Sequence, residues 1–350
     1  MARVVVHIGT GKTGTTSIQW TLARASKRGA LPGVKYPLPA GGPPTDHALL
    51  SALYKPRRAL ARALRARTKD LSEADFQSQL DAYRGEIFGE IRTSERVVLS
   101  TEYLSGIPPD GIARFHDDLT AAGAEKVTVL AYVRDPVTYY PSYLQQRLRG
   151  AGEFIPPDRF KYDFAEMLEA WSSVFDDVVV RPFDPGRMVG GGVVQDFLAC
   201  AYQALDLAPV PELETVTTTN ESISAEGMVL LQRYWAARGT EDTAFAAPEV
   251  PRLLQLMREA ADVFPQTKPR LVPSAAEDVY RRHAADLAFL RAKFDVSLGE
   301  RPAVADGTGE THGRQSGEYR DVSDVVIYDE DTLDRLAMYC LRSALMVPAP

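Results

Sequence analysis

Cysteine is scarce: two in 350 residues, Cys200 and Cys340, beside five histidines. That number excludes a disulfide scaffold. With no histidine at matching spacing beside them, the two cysteines cannot furnish a four-ligand zinc site either. Both lie in apolar, helix-like stretches and read as buried free thiols of a reducing compartment. No apolar run approaches the roughly 20 residues a membrane span requires. Basic residues do not dominate, since 40 Lys and Arg against 47 Asp and Glu leave a formal charge of −7. A dedicated nucleic-acid binder is thereby disfavoured, although basic groups can still converge locally on an anion. No internal repeat is present. The opening run Val4-Val5-Val6-His7-Ile8 is too short for a secretory signal, so the expected location is cytoplasmic. Apolar side chains are plentiful, at 45% of the chain. They suffice for one large domain or a domain with a helical appendage.

The strongest local signal follows that opening run. A β-branched apolar segment reads as a buried strand. Gly9-Thr10-Gly11-Lys12-Thr13-Gly14 comes next, then Thr15-Thr16-Ser17, which can begin a helix. A strand turning through glycines into a helix N-terminus gathers backbone N–H groups and the positive end of the helix dipole on one point. Lys12 adds a full charge there. A Walker A loop needs Gly, four residues, then Gly-Lys-Ser/Thr. Gly11-Lys12-Thr13 supplies the end, but residue 6 is Val6 where the first glycine should stand.

Further along, strands are expected at 96–100, 126–133 and 178–180, and helices at 15–28, 57–69, 72–93, 110–122, 162–175 and 194–205. A further helix begins at Pro136. Residues 30–45, rich in Pro and Gly, read as an irregular loop. The helix at 57–69 carries a basic outer face, read either as a solvated face or as a docking surface for an acidic substrate. Strands alternating with helices imply a parallel sheet covered on both faces, with ligands at the carboxyl ends of the strands. From Ser224 onward the periodicity is helical, at 225–238, 249–263, 274–294 and 330–346, with a loop-rich segment at 300–322. The expected fold is α/β: a P-loop-like central parallel sheet flanked by helices over 1–223, and a mainly helical C-terminal portion over 224–350.

Three strand ends then bring polar groups to one edge: Lys12 and its loop, Glu102, and Arg134. Arg134 is followed eight positions later by Ser142. An arginine at a strand end can grip a phosphate bidentately, and a serine about two turns into the next helix can reach the same oxygens. Taken singly, the plainer reading of each is favoured: an arginine capping the sheet edge and a serine on a helix surface.

The His7-Ile8-Gly9-Thr10-Gly11-Lys12-Thr13-Gly14-Thr15-Thr16-Ser17-Ile18-Gln19 run resembles the 5′-phosphosulfate loop of sulfotransferases that use 3′-phosphoadenosine 5′-phosphosulfate (PAPS), in their bacterial branch. The Arg134/Ser142 pair is similar to that family's 3′-phosphate motif. Tyr162-Asp163-Phe164, Trp171, Val180-Arg181-Pro182-Phe183-Asp184, Asp196-Phe197-Leu198 and Asn220-Glu221-Ser222-Ile223-Ser224 extend the likeness over roughly residues 3–225. It departs at 217–222, Thr217-Thr218-Thr219-Asn220-Glu221-Ser222, where cytosolic sulfotransferases close over the 3′-phosphate with a Gly- and Lys-containing loop.

The resemblance implies a sulfotransferase binding PAPS, and its product adenosine 3′,5′-bisphosphate, through Gly11, Lys12, Thr13, Gly14, Thr15, Thr16, Arg134 and Ser142. The acceptor would be a hydroxyl, or less readily an amine, of a small molecule or carbohydrate. Charge developing on the bridging oxygen asks for a cation, and Lys12 suits that place. A sulfuryl group carries less charge than a phosphoryl group, so no metal is required. A general base should take the acceptor proton. Glu102 stands where related glycan-modifying sulfotransferases place a catalytic glutamate. His47 has a suitable ordinary pKa. Glu102 is preferred on its placement past the second strand, though an ion pair with a neighbouring arginine is its plain alternative. Two other classes stay open: a P-loop kinase using ATP and Mg²⁺, with Thr13 on the metal, and a nucleotide-binding module without turnover.

Overall fold

The computed structural model describes residues 2–40, 42–216, 222–238, 249–301 and 318–345. In chain order the helices and strands are β1 (Ala2–His7), α1 (Thr15–Lys27), α2 (Arg62–Thr68), α3 (Glu73–Thr93), β2 (Arg96–Ser100), α4 (Pro109–Ala121), β3 (Ala124–Val133), α5 (Pro136–Ala151), α6 (Phe164–Ser172), β4 (Asp177–Pro182) and α7 (Val193–Ala204). Then come α8 (Ala225–Arg238), α9 (Val250–Ala261), α10 (Pro273–Arg282), α11 (Ala284–Phe294) and α12 (Glu330–Leu345). The architecture is α/β. Among the described residues one sheet forms, with strand order β2-β1-β3-β4 and every pairing parallel.

The chain divides into two compact units. The first comprises Met1–Arg134, Asp163–Thr218 and Asp286–Leu298, and holds the sheet. Its strands are apolar on both faces, as a doubly covered parallel sheet demands. Val5, Val98, Leu130 and Tyr132 pack with Ile18 and Leu22 of α1 and Phe197, Leu198 and Ala201 of α7. Helices α3, α4 and α6 lie against β1, β3 and β4, where Phe115, Trp171 and Phe175 form a buried aromatic cluster. Parallel register sets His7 beside both Ser100 and Leu130, and Val133 beside Pro182. All four strands therefore end on one edge. The chain steps from β1 to β2 on one side and then crosses to β3 on the other. That reversal is the place where such sheets leave a crevice at their carboxyl ends.

The second unit comprises Asp135–Tyr162, Thr219–Ala285 and Gly299–Pro350. It contains α5, α8, α9, α10 and α12 and a lone antiparallel bridge between Leu271 and Val326. Asp135 caps α5 by accepting from the Val137 and Thr138 amides, with Pro136 in the first turn. The Trp235 indole donates to the Leu148 carbonyl at 2.7 Å. Glu226, fully buried, accepts from the Thr267 and Asp329 amides at 3.0 and 3.1 Å. The segments 135–162 and 286–298 group apart from their neighbours in sequence, so neither unit is one continuous stretch of chain.

Two expected helices take another form. The stretch 57–69 is a 3₁₀ turn (Arg57–Ala59) followed by α2, because buried Leu60 runs extended at φ −68°, ψ 152°. The stretch 274–294 breaks at His283, which ends α10 at φ −100°, ψ 11° with its ring Nδ1 2.8 Å from the Val279 carbonyl. The expected lid residues 217–221, and 302–317 of the expected loop, lie outside the described residues. No described helix is long and apolar enough to cross a membrane.

Candidate functional site

The loop after β1 is built as a nest. Gly9, Lys12 and Gly14 all have left-handed backbones, with φ of 41°, 64° and 74°. Left-handed residues spaced through a turn aim backbone N–H groups into one concavity, which favours an anion. For Lys12 that conformation costs about 1 kcal/mol or more, and strain of this kind collects at functional sites. Side chains hold the loop shut from behind. Thr10 donates to the Tyr132 carbonyl of β3 at 2.8 Å, and Thr13 donates to the Thr10 carbonyl at 2.6 Å. Gly14 is required twice over: a Cβ there would lie 2.6 Å from Val193 Cγ1 and 3.3 Å from Phe183. At Gly9 a Cβ would lie 2.7 Å from the Thr15 hydroxyl and 3.5 Å from Glu102 Cα.

Helix α1 leaves the nest through Gly14, and its first closed bond is Ile18 N–H to the Gly14 carbonyl. The earlier amides stay outside the helix's own ladder. The Thr15 hydroxyl and His7 Nε2 are buried here with no hydrogen-bond partner among the described residues. A glycine-walled cradle, orphaned polar atoms and a charged Lys12 together fit a phosphate or phosphosulfate end. Gly11, Lys12, Gly14 and Thr16 are half-buried, Thr13 and Thr15 buried.

Glu102 opens a 3₁₀ turn directly after β2, where the Thr101 hydroxyl accepts from the Tyr103 amide at 3.3 Å. Its backbone abuts Gly9, so the turn brings it to the nest. Burial pushes its carboxyl up, the Lys12 charge pulls it down, and the Asp46 charge pushes it up again, for a net rise. Asp46 is raised as well, chiefly by burial. The signal that could have marked it is its place beside His47.

His47 is wholly buried. Its Nε2 donates to the Pro37 carbonyl at 2.8 Å and its Nδ1 accepts from the Ser100 amide at 3.0 Å. Burial lowers its pKa to about 4. His7, equally buried, is held near 3 by burial and sits 2.9 Å from the Ser100 hydroxyl, as a packed core residue.

Arg134 is the first residue past β3. Its guanidinium lies 5.8 Å from the ring centre of Phe183, which pairs with the Val133 carbonyl at 2.7 Å. Phe183 thus stands against both Gly14 and Arg134. The loop between β4 and α7 is anchored by Asp196, fully buried. Burial alone would raise the Asp196 carboxyl, but bonds from Arg181, the Val189 amide and Tyr132 outweigh it and lower the pKa. The Tyr132 hydroxyl is at 2.7 Å and the Val189 amide at 2.9 Å. Ser142 belongs to the second unit, half-buried on α5. The first unit therefore gathers Lys12, its nest, Glu102, Asp46 and His47 at the β1 and β2 ends, and Arg134 with Phe183 at the β3 and β4 ends. No protein-family model matches the chain, and no curated protein matches it.

Proposed function

We propose that the chain is a sulfotransferase. It moves a sulfuryl group from PAPS to a hydroxyl, with an amine as second choice, of a small molecule or carbohydrate. The observation that carries this reading is the nest around a strained Lys12 whose charge is felt by the carboxyl of Glu102. The resemblance over residues 3–225 supports it, and the sheet with its nest is read as a P-loop-like core.

PAPS, when bound, supplies an activated sulfuryl group. The nest amides, with Gly11, Thr13, Gly14, Thr15 and Thr16, would hold its phosphosulfate end, and Arg134 its 3′-phosphate. Lys12 steadies the negative charge that develops on the departing phosphate oxygen. Glu102 takes the acceptor proton, and a carboxyl raised by burial is the stronger base for it. Glu102 is preferred to His47 because both ring nitrogens of His47 are already engaged with backbone groups. Val6, standing where a Walker A loop needs its first glycine, argues against the kinase reading.

Calorimetry tests the reading. Adenosine 3′,5′-bisphosphate should bind without magnesium, and more tightly than ATP with magnesium. Tighter binding of magnesium-ATP would overturn it in favour of a kinase. Binding with no consumption of PAPS by any acceptor would favour a module without turnover.

A further inference from the structure

The 36–48 segment is fastened to the end of β2, the edge strand of the sheet, by His47. The His47 amide donates to the Ser100 carbonyl at 3.2 Å, and its Nδ1 accepts from the Ser100 amide at 3.0 Å. One residue thus satisfies both main-chain groups of Ser100, closing an edge that would otherwise stand open. Nε2–H donates to the Pro37 carbonyl at 2.8 Å, tying the segment back on itself. The Tyr36 hydroxyl donates to the Thr45 carbonyl at 2.8 Å, and the Tyr36 and His47 rings meet edge to face with centres 4.7 Å apart. This bonding pattern fixes the neutral tautomer with the proton on Nε2. No ring nitrogen remains to take a proton from a substrate.

What the fastening holds is Asp46. One of its oxygens accepts from the Ala48 amide at 2.7 Å, which fixes the carboxylate at the start of the 3₁₀ turn Ala48–Leu53. Ser100, to which its neighbour is bound, lies two residues before Glu102. The His47–Ser100 bonds thus bring Asp46 to the end of β2 from which Glu102 follows, and the Asp46 charge adds to the rise of the Glu102 carboxyl.

We propose that His47 is a positioning residue, an uncharged clamp that sets Asp46 beside Glu102, and that the two carboxylates work as a pair in which Glu102 takes the proton and Asp46 governs how readily. The catalytic half of this inference rests on the sulfotransferase reading above; the pairing itself does not. Like charges held close cannot both ionise freely, so one carboxyl keeps its proton longer. The groups facing the pair are Lys12 from the nest, Tyr103 from the turn after β2, Arg67 from α2 and Tyr83 from α3, with Tyr36 from the segment itself. Lys12 and Arg67 oppose the mutual repulsion and the tyrosines are neutral, so removing the Asp46 charge should ease proton loss from Glu102.

Two measurements test the proposal. The Glu102 carboxyl can be titrated by carbon-13 NMR in the protein alone, assigned through Glu102→Gln. Asp46→Asn keeps an oxygen for the Ala48 amide but removes the charge. It should shift the Glu102 titration to lower pH, and an unchanged titration would overturn the pairing. Turnover is then read as release of adenosine 3′,5′-bisphosphate from PAPS, with the best acceptor from a panel of simple alcohols, sugars and amines. His47→Asn, which can still accept from the Ser100 amide but cannot titrate, should keep kcat within about threefold. His47→Ala should lose about tenfold or more, with affinity for adenosine 3′,5′-bisphosphate unchanged in both. If His47→Asn were as inactive as His47→Ala while folded and binding normally, the bonds to Ser100 would not be what activity needs, and the clamp would be wrong. Absence of any turnover in the unaltered protein would sink the sulfotransferase reading, and the Glu102 titration would still decide the pairing.

Discussion

Replacing His47 by asparagine should weaken the protein at neutral pH and strengthen it in acid. The imidazole is buried and uncharged, with its pKa lowered from the ordinary 6.5 to about 4 by loss of hydration. The unfolded chain takes up a proton on this residue near pH 6.5, whereas the folded chain resists until about pH 4. Between those values the unfolded state binds more protons, so stability falls as pH falls. The gap, at about 1.4 kcal/mol per pH unit, amounts to about 3 kcal/mol of stability lost across the window. Asparagine has no such liability. At pH 7 it loses the bond to the Pro37 carbonyl and leaves that oxygen buried, a cost of about 1–2 kcal/mol. The stability curves of parent and variant should therefore cross near pH 5, a value set by about 2 kcal/mol lost on each side. Urea denaturation at half-unit steps from pH 7.5 to 4.5 measures the difference directly. Other titrating groups cancel in that difference. A gap between the two proteins that stays constant across the window would show that His47 is not held neutral, and would refute the reasoning.

Lys12→Gly should raise stability by about 1 kcal/mol through relief of the left-handed backbone while abolishing PAPS turnover. Lys12→Ala should lose turnover with no such gain, and equal stability of the two in urea would remove the strain argument. Gly14→Ala should destabilise by about 2 kcal/mol or more, from positive φ and the collision with Val193. Adding Val193→Ala should recover part of that loss, and no recovery in the double variant would locate the conflict elsewhere. Arg181→Ala, which leaves the Asp196 carboxylate buried without its cation, should cost about 3–5 kcal/mol; a loss under 1 kcal/mol would show the network to be incidental. Arg134→Ala should weaken binding of adenosine 3′,5′-bisphosphate far more than it lowers kcat, and Ser142→Ala measured alongside reads whether that serine contributes. Equal affinities throughout would remove the 3′-phosphate assignment.

Much of the first unit could be read along the chain because its signals are local. Strand β1 is written as a β-branched run, the nest as glycines around a lysine, and α3 and α5 begin at Ser72 and Asp135, whose side chains cap them. The regular alternation of strand and helix was enough to imply a parallel sheet and to send Lys12, Glu102 and Arg134 to one edge. Side-chain bonding over long sequence separation was not legible, since nothing in a local pattern records it. His47 offers an ordinary titratable ring in the sequence, and only its bonds to Ser100, 53 positions away, make it neutral and mechanical. Asp46 carries no motif of its own, and only folding brings its charge to bear on Glu102. The grouping of 135–162 with the C-terminal helices likewise follows from packing between distant segments. The sequence by itself determined most of the elements and which edge gathers Lys12, Glu102 and Arg134, because propensity, capping and periodicity act over a few residues. Only the tertiary structure decided which carboxylates and imidazoles are charged, because protonation follows burial and neighbours that folding alone brings together.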